Sequence, residues 1–456
     1  MSWRCVLALA AVLPLTTPAS GASGDAALAV PEVCARAPLA APLDVLEAVE
    51  RALCHHPQTR QAWAGVMAQA ARLETARAAY LPAATASIGA FKGNSSRAIS
   101  GRPQLDSRQN SDTRAASVDL SWTLYDFGQR RAGVEQARAL LEAAGATRDA
   151  TLQSVFAAAA QAYYDLLSAQ GALAAARDAE QAARESALAA AARHQAGAAS
   201  LSDKLQAQTA AAQAVLSRVR AEGEAQNAAG TLAAAMGMSV ATPLTLAAGP
   251  TSLPGTAFVQ SVAVLLEQAK RAHPSVRAAQ AQLQAAQQGV AAARADGMPT
   301  LSLSASVERN RQSSESQADA DARSKSIGLQ LRIPLLAGWS RAAGVHAAQA
   351  ARDAKAAELA QTEQDVALEL WKNYQGLGTE TESLKASEEL LQSAAQSADV
   401  VRGRYKAGVG NLLELLNAQS ALADARQQRV QATSRWHSAR LKLAASLGQL
   451  GYWAVR

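Results

Sequence analysis

Arg193-His194-Gln195-Ala196-Gly197-Ala198-Ala199-Ser200-Leu201 and Arg404-Tyr405-Lys406-Ala407-Gly408-Val409-Gly410-Asn411-Leu412 occupy equivalent places in the chain. Adding 211 to a position around the first passage lands on its counterpart around the second. Leu205 maps to Leu416, Gln208 to Gln419, Met236-Gly237 to Leu447-Gly448, Tyr163 to Tyr374 and Gly133-Val134 to Gly344-Val345. The register holds without a gap from about Phe127 to Gly237, which identifies a duplicated unit and not merely a shared composition. Each passage interrupts an alanine-rich run. The first run, Gln104 to Ala241, has no proline, and no proline follows Pro334 in the second.

From Gly128 to about Gln195 the strongest breakers are single glycines, so the spacing predicts one helix roughly 100 Å long. A returning helix is expected to end at Met236. The second copy predicts Ser340 to about Lys406, then Asn411 to Leu447. Long antiparallel helices with small residues between them form coiled-coil hairpins. Their abundant Gln, Ala and Ser suit a water-lined surface.

Working outward, each run is preceded by two shorter helices and a pair of strands. Leu43 to His55 and a helix from Pro57 to about Tyr80 are matched by Val262 to His273 and Pro274 to about Ala295, here at an offset of 217. After Pro82 and Pro299 the period changes to two. Leu301, Leu303, Ala305 and Val307 alternate with Ser302, Ser304, Ser306 and Glu308. Ile327 to Ile333 and Val118 to Leu124 alternate in the same way. Ala84 to Phe91 is weaker, with Ile88 and Phe91 its large residues. Polar loops are expected over Lys92 to Ala116 and Arg309 to Lys325. One reading is a soluble sheet on a core. No partner layer for it is evident, and an apolar-out, polar-in sheet with long polar loops fits an outer-membrane barrel better. Four strands cannot close alone, eight give a barrel filled by side chains, and a trimer of twelve is the simplest assembly with a pore.

Composition limits the function classes. Aromatics are 4% of 456 residues, too few for a conventional large core. The net charge of +6 is spread out, with no basic stripe interleaved with aromatics, so nucleic acid is not an expected partner. Arg4, the apolar Val6 to Leu15 and Ser20-Gly21-Ala22 read as a secretory signal. Cys5 falls inside it. Cys34 and Cys54 remain in an exported chain, where a disulfide between them and two free thiols are both open. Cys54 beside His55-His56 lacks a second ligand cluster, and neither metal nor cofactor is expected. No Ser/His/Asp spacing or phosphate loop stands out, so the chain does not read as an enzyme.

Taken together, the chain resembles the TolC family of outer-membrane factors. The resemblance rests on Tyr80-Leu81-Pro82 before a strand, Trp122-Thr123-Leu124-Tyr125-Asp126-Phe127-Gly128-Gln129-Arg130 at a strand-to-helix turn, and Tyr405-Lys406-Ala407-Gly408 followed by Leu412-Leu413-Glu414-Leu415-Leu416-Asn417-Ala418-Gln419. Each motif is weak alone; their order and spacing over nearly the whole mature chain are specific. Ala337 departs from the family by standing where the first copy has Asp126. The resemblance implies a mainly α fold with a membrane β-barrel. Duplicated helical hairpins would form a periplasmic α-barrel, and four strands per chain would join a homotrimeric twelve-stranded barrel in the outer membrane. The implied division is a signal peptide over 1–22, lead-in and helices over 23–80, a first β-hairpin over 81–126 and a first helical hairpin over 127–242. A linker with helices follows over 243–297, then a second β-hairpin over 298–336, a second helical hairpin over 337–448 and a tail over 449–456.

The family also implies a resting channel closed at its helical tips and opened by a periplasmic adaptor and an inner-membrane transporter. On that basis Asp203, Glu414, Tyr405, Ser202 and Arg404 are expected at the periplasmic entrance, and Arg193, Gly197, Leu201, Gly408 and Leu412 at adaptor-docking tips. Asp203 and Glu414 have two compatible readings. They have the spacing of capping boxes with Ser200 and Asn411, and three copies of each would make an acidic ring selecting cations. Tyr405 and Asp203 fit the family's tip lock, with local packing of a helix-end aromatic as the alternative for Tyr405. The arginine and second acid of that lock are replaced by Gly410 and Asn417, which leaves either a weaker lock or Arg404 as a substitute. Gly197 and Gly408 are expected to take turn conformations that a β-carbon disfavours.

Two cargoes remain within the export-channel expectation. Many efflux-paired members of the family are lipoproteins, and no lipid-attachment cysteine follows this signal. That leans toward type I secretion of a polypeptide such as a toxin, with an ABC-type transporter, over multidrug efflux. A periplasmic coiled-coil adaptor or scaffold is the reading from another class; adaptors lack paired amphipathic strands before each hairpin.

Overall fold

The computed structural model describes residues 42–247, 262–314, 320–335 and 338–448. Cys34, the signal and most of the lead-in and C-terminal tail lie outside these residues. Cys54 is disulfide-bonded.

The two copies fold into elements of matched length. Helices α1 (Val45–His55) and α2 (Pro57–Ala78) correspond to α5 (Val262–Ala272) and α6 (Pro274–Ala295), with 11 and 22 residues in each copy. Strands β1 (Ala83–Arg97) and β2 (Ser107–Tyr125) correspond to β3 (Thr300–Ser314) and β4 (Ala320–Arg332). The long hairpins are α3 (Gln129–Gln195) with α4 (Leu201–Ala235), and α7 (Ser340–Lys406) with α8 (Leu412–Ser446), 67 and 35 residues in each case. At 1.5 Å per residue, α3 and α7 are each about 100 Å long. Among the described residues no helix is long and apolar enough to cross a membrane.

The strands form one antiparallel sheet in the order β1-β2-β3-β4. β1 and β4 are its open edges. Its strands outrun the apolar alternation: residues 92–97, 107–116, 309–314 and 320–325, expected as loop, belong to the ladders. Hydrogen bonds of a ladder do not require apolar side chains, so alternation marks only the part of the strand that has an apolar face. Phe91 pairs with Thr113, on the face opposite Ile88, so the two large residues of β1 do not share a surface. The polar face is tied by Ser87 to Ser117 (2.7 Å) and Ser306 to Ser326 (2.8 Å).

The passage from sheet to helix is built on Asp126. Its carboxylate accepts from Arg130 N (2.9 Å), Arg130 Nε (2.7 Å) and Gly128 N (3.3 Å). Arg130 also donates to the Thr123 carbonyl (2.6 Å) and stacks over Tyr80. Burial works to raise the Asp126 pKa, but these donors and the guanidinium charge outweigh it and hold the carboxyl below its usual range. The equivalent Ala337 lies outside the described residues.

Helix burial then separates the hairpins. α3 packs against α2, α4, α6 and α8, so the two hairpins of a chain meet along α3 and α8. Ser434 Oγ donates to the Tyr164 carbonyl (3.1 Å), and Ser186 and Gln419 share two hydrogen bonds (3.1 and 3.3 Å). A β-carbon on Gly171 would come within 2.8 Å of Val430, so the helices touch there. Each returning helix ends on a left-handed glycine against the turn before a helical proline. β-Carbons on Gly237 and Gly448 would fall 2.7 and 2.8 Å from His55 and His273, respectively.

Candidate functional site at the helical tips

The tips are closed by two Schellman motifs. Gly197 (φ 72°) and Gly408 (φ 77°) are left-handed. Ala198 N donates to Arg193 O (2.8 Å) and Gly197 N to His194 O (3.0 Å), and the second tip repeats this with Val409 to Arg404 and Gly408 to Tyr405 (3.1 Å each). A β-carbon is strained at such a φ, which fixes glycine at both positions.

The returning helices start differently. Ser200 and Asp203 make a reciprocal capping box: Asp203 N donates to Ser200 Oγ and Ser200 N to Asp203 Oδ2, each at 3.1 Å. Asn411 instead takes Leu413 N at 2.7 Å, so the box expected with Glu414 does not form. The asparagine amide satisfies the helix start alone, and Glu414 is drawn to Arg404 (3.4 Å). Arg404 therefore serves its own hairpin.

Arg193, the equivalent arginine, crosses to the other hairpin. Its Nη2 donates to the Tyr405 carbonyl (2.9 Å), and its guanidinium lies 4.3 Å from the centre of the Tyr405 ring. That ring is buried among Ala190, Ala207, Leu412 and Leu415. Among the described residues of one chain no hydrogen bond joins Tyr405 to Asp203; the tyrosine packs between the two hairpins and is clasped by Arg193. Gly410 carries a constraint that its place in the sequence does not show. A β-carbon there would sit 2.7 Å from the Tyr405 backbone nitrogen, so an arginine at 410 has no room without moving the turn. The only sequence clue to the crossing was that Arg193 and Arg404 are equivalent while His194 stands where the second copy has Tyr405. His194 closes its own loop through Ala199 O (3.1 Å). Ser202, Leu201 and the Asp203 and Glu414 carboxylates lie in the first turns of α4 and α8, with Leu201 exposed and Leu412 buried.

These features have recognisable relatives. The model of a family described as "Outer membrane efflux protein" matches residues 48–238 and 265–449, one segment in each copy. Protein CyaE of Bordetella pertussis is 37% identical over 90% of this chain and 85% of its own length. The toluene efflux pump outer membrane protein TtgF of Pseudomonas putida is 26% identical over 89% of this chain and 83% of its own. Among solved structures, the Campylobacter jejuni CmeC outer membrane channel superposes with a TM-score of 0.78 at 18% identity, covering 89% of this chain and 85% of that one. The duplicated helical hairpins, the four-stranded sheet and these matches together place the sheet in the outer membrane and the helices in the periplasm, and the chain belongs to the outer membrane efflux protein family.

Proposed function

We propose that three copies of this chain close into one channel-tunnel that carries substrate from an inner-membrane transporter and a periplasmic adaptor to the exterior. The observation that carries this reading is the pair of open edges. A four-stranded sheet cannot shut, whereas three copies supply twelve strands, between the eight that side chains fill and the sixteen that leave an aqueous channel. The helices repeat the pattern. α3 and α8 meet inside the chain, which leaves α4 and α7 free to meet those of the next copy. Both carry large apolar residues toward solvent, among them Leu205, Leu216 and Val219 on α4 and Leu368 and Val400 on α7. Such faces need covering. The reading assigns transport and no catalysis.

In this assembly Asp203 and Glu414 stand at the periplasmic entrance as an acidic ring, and the exposed residues about Leu201 and Gly408 meet the adaptor. The cargo favoured is a polypeptide delivered by an ABC-type transporter. The chain is 37% identical to CyaE and 26% identical to the toluene efflux protein, a difference that supports a cargo other than solvents. Crosslinking from a cysteine placed at Leu201, followed by identification of the inner-membrane partner, tests this. An ABC transporter with its adaptor is expected; a proton-driven drug exporter would overturn the polypeptide reading. In planar bilayers, D203N/E414Q is expected to reduce cation selectivity, and unchanged selectivity would remove the acidic ring.

A further inference from the structure

The outer ends of the strands carry a charge arrangement that neither the tunnel nor the tips use. On the face that holds the apolar residues, successive rows across β2, β3 and β4 read Val118-Val307-Lys325, Ala116-Arg309-Arg323 and Arg114-Arg311-Asp321. Arg309 thus stands directly opposite Arg323, and Arg114 directly opposite Arg311. Like charges across a ladder repel, and here two such pairs occupy neighbouring rows.

The carboxylates on this face do not balance them. Asp321 accepts from Arg309 (2.7 and 3.1 Å) and Arg311 (3.0 Å), and Asp112 lies 3.9 Å from Lys92. Among the described residues no carboxylate reaches Arg114, Arg323 or Lys325. Asp119 and Glu308 belong to the opposite face by register. Glu315 and Asp319 lie outside the described residues. β1, the strand that closure of the barrel sets beside β4, contains no acid at all.

The height of this belt is also defined. Below it, the face is Leu303, Ala305, Ile327, Leu329, Leu120 and Trp122. From Tyr125, at the helix end of β2, to Arg114 the strand climbs eleven residues. At about 3.4 Å per residue and a tilt near 40°, that is roughly 29 Å along the membrane normal, close to the ~25 Å apolar band of an outer-membrane barrel. The belt therefore meets the headgroups on the side away from the helices, which is the outer leaflet.

We propose that this belt binds the phosphate groups of the anionic glycolipid of the outer leaflet, a phosphorylated lipid A. Arg114, Arg323 and Lys325 supply the charge that the strands' own acids leave uncompensated. A guanidinium matches a phosphate with two parallel hydrogen bonds, and the phosphates relieve the two facing arginine pairs. The proposal rests on the outer-membrane placement of the sheet and not on the cargo or the gate.

The test titrates the full chain, purified in detergent, with diphosphoryl lipid A, with lipid A stripped of phosphate, and with inorganic phosphate. Wild-type protein is expected to bind the diphosphoryl form at least about tenfold more tightly than R114Q/R323Q/K325Q does, and added salt weakens the binding. R114K/R323K/K325R retains most of it, and inorganic phosphate at equal concentration does not displace the lipid. Equal binding of phosphate-free lipid A by wild type overturns the proposal, as does equal affinity in the neutral triple variant. If that variant fails to fold, the comparison of the two lipids on wild type still decides. Bilayer conductance, set elsewhere in the tunnel, is unchanged by these substitutions, so its loss points to the channel reading and not to this site.

Discussion

Helices α3 and α7 occupy equivalent positions in the duplication and have the same 67-residue length, yet α3 buries seventeen residues and α7 seven. Their partners reverse the order: α8 buries twelve and α4 five. The duplicated hairpins are thus used unequally. α3 and α8 form the seam inside the chain, and α4 and α7 form its flanks. Duplication supplies two interchangeable walls, and chain order decides which face of each is covered from within. The covered face of α3 carries the buried Glu180 and the Tyr163 and Tyr164 rings; the flanks keep large apolar residues such as Leu216 and Leu368 exposed.

Ion pairing separates the copies most sharply. Arg218 and Arg429 are equivalent, and each reaches from the returning helix of its hairpin to a glutamate on the long one. Glu180 is buried, its side chain 7% exposed, and held by Arg218 (2.6 Å) and Arg184; Glu388 is 57% exposed and held by Arg429 (2.7 Å). Removing Glu180 takes away a buried acceptor of two charged hydrogen bonds, although Arg218 keeps Glu222 as a partner (2.8 Å). Glu180→Ala is therefore expected to cost up to about 3 kcal/mol, and Glu388→Ala no more than about 1 kcal/mol, read as the loss in thermal or denaturant stability of the helical signal. Equal losses would contradict the inequality of the hairpins.

Next come the equivalent tyrosines. Tyr163 is buried with its hydroxyl near the Leu43 carbonyl (3.4 Å), and burial pushes its pKa up to about 12. Tyr374 packs only partly against the Leu370 cluster. Tyr163→Ala is expected to cost about 3 kcal/mol and Tyr374→Ala roughly half as much, by the same measurement.

At the tips, the Arg193 clasp combines a charged hydrogen bond with a cation–π contact, whereas Arg404 makes an exposed ion pair. Arg193→Ala is expected to loosen the tip by about 2 kcal/mol and to raise open-channel probability in bilayers by roughly tenfold. Arg404→Ala changes it little. A larger effect at Arg404 would move the lock to the second hairpin.

The smallest expected effect concerns acidity. His437 stacks on Tyr164 at 4.6 Å in the α3–α8 seam, and its equivalent is Gln226. Burial, then the Arg440 charge, lowers its pKa from 6.5 to about 4. The neutral ring is favoured in the fold, so its stabilisation is complete above pH 6.5 and is lost as the pH falls toward 4. By pH 5 the loss is on the order of 1 kcal/mol, allowing for solvent screening. His437→Gln is expected to flatten stability across that window, and an unchanged slope would remove the histidine from the account.

The long helices were legible because nothing between Gly128 and Gln195 is strong enough to stop a helix, and the ungapped repeat marks the same run twice. The glycines of the tips were legible for the same local reason, since a left-handed residue closes a helix. Strand ends were not: the ladders continue through polar residues once the apolar face has ended. The Arg193 to Tyr405 clasp was not legible either, because a repeat offset shows which residues are equivalent and not which hairpins touch. Gly410 escaped for a related reason, since its constraint is a close approach to the Tyr405 backbone and leaves no periodic mark.

In the proposed channel the open flanks and sheet edges close only between copies, and that closure makes a tube. The most direct measurement is the mass of the purified particle together with its single-channel conductance in a planar bilayer. A particle of three chains is expected, each of 47.2 kDa before any signal is removed, that gives discrete cation-selective conductance steps. A single-chain particle, or a three-chain particle that inserts without conducting, would contradict it.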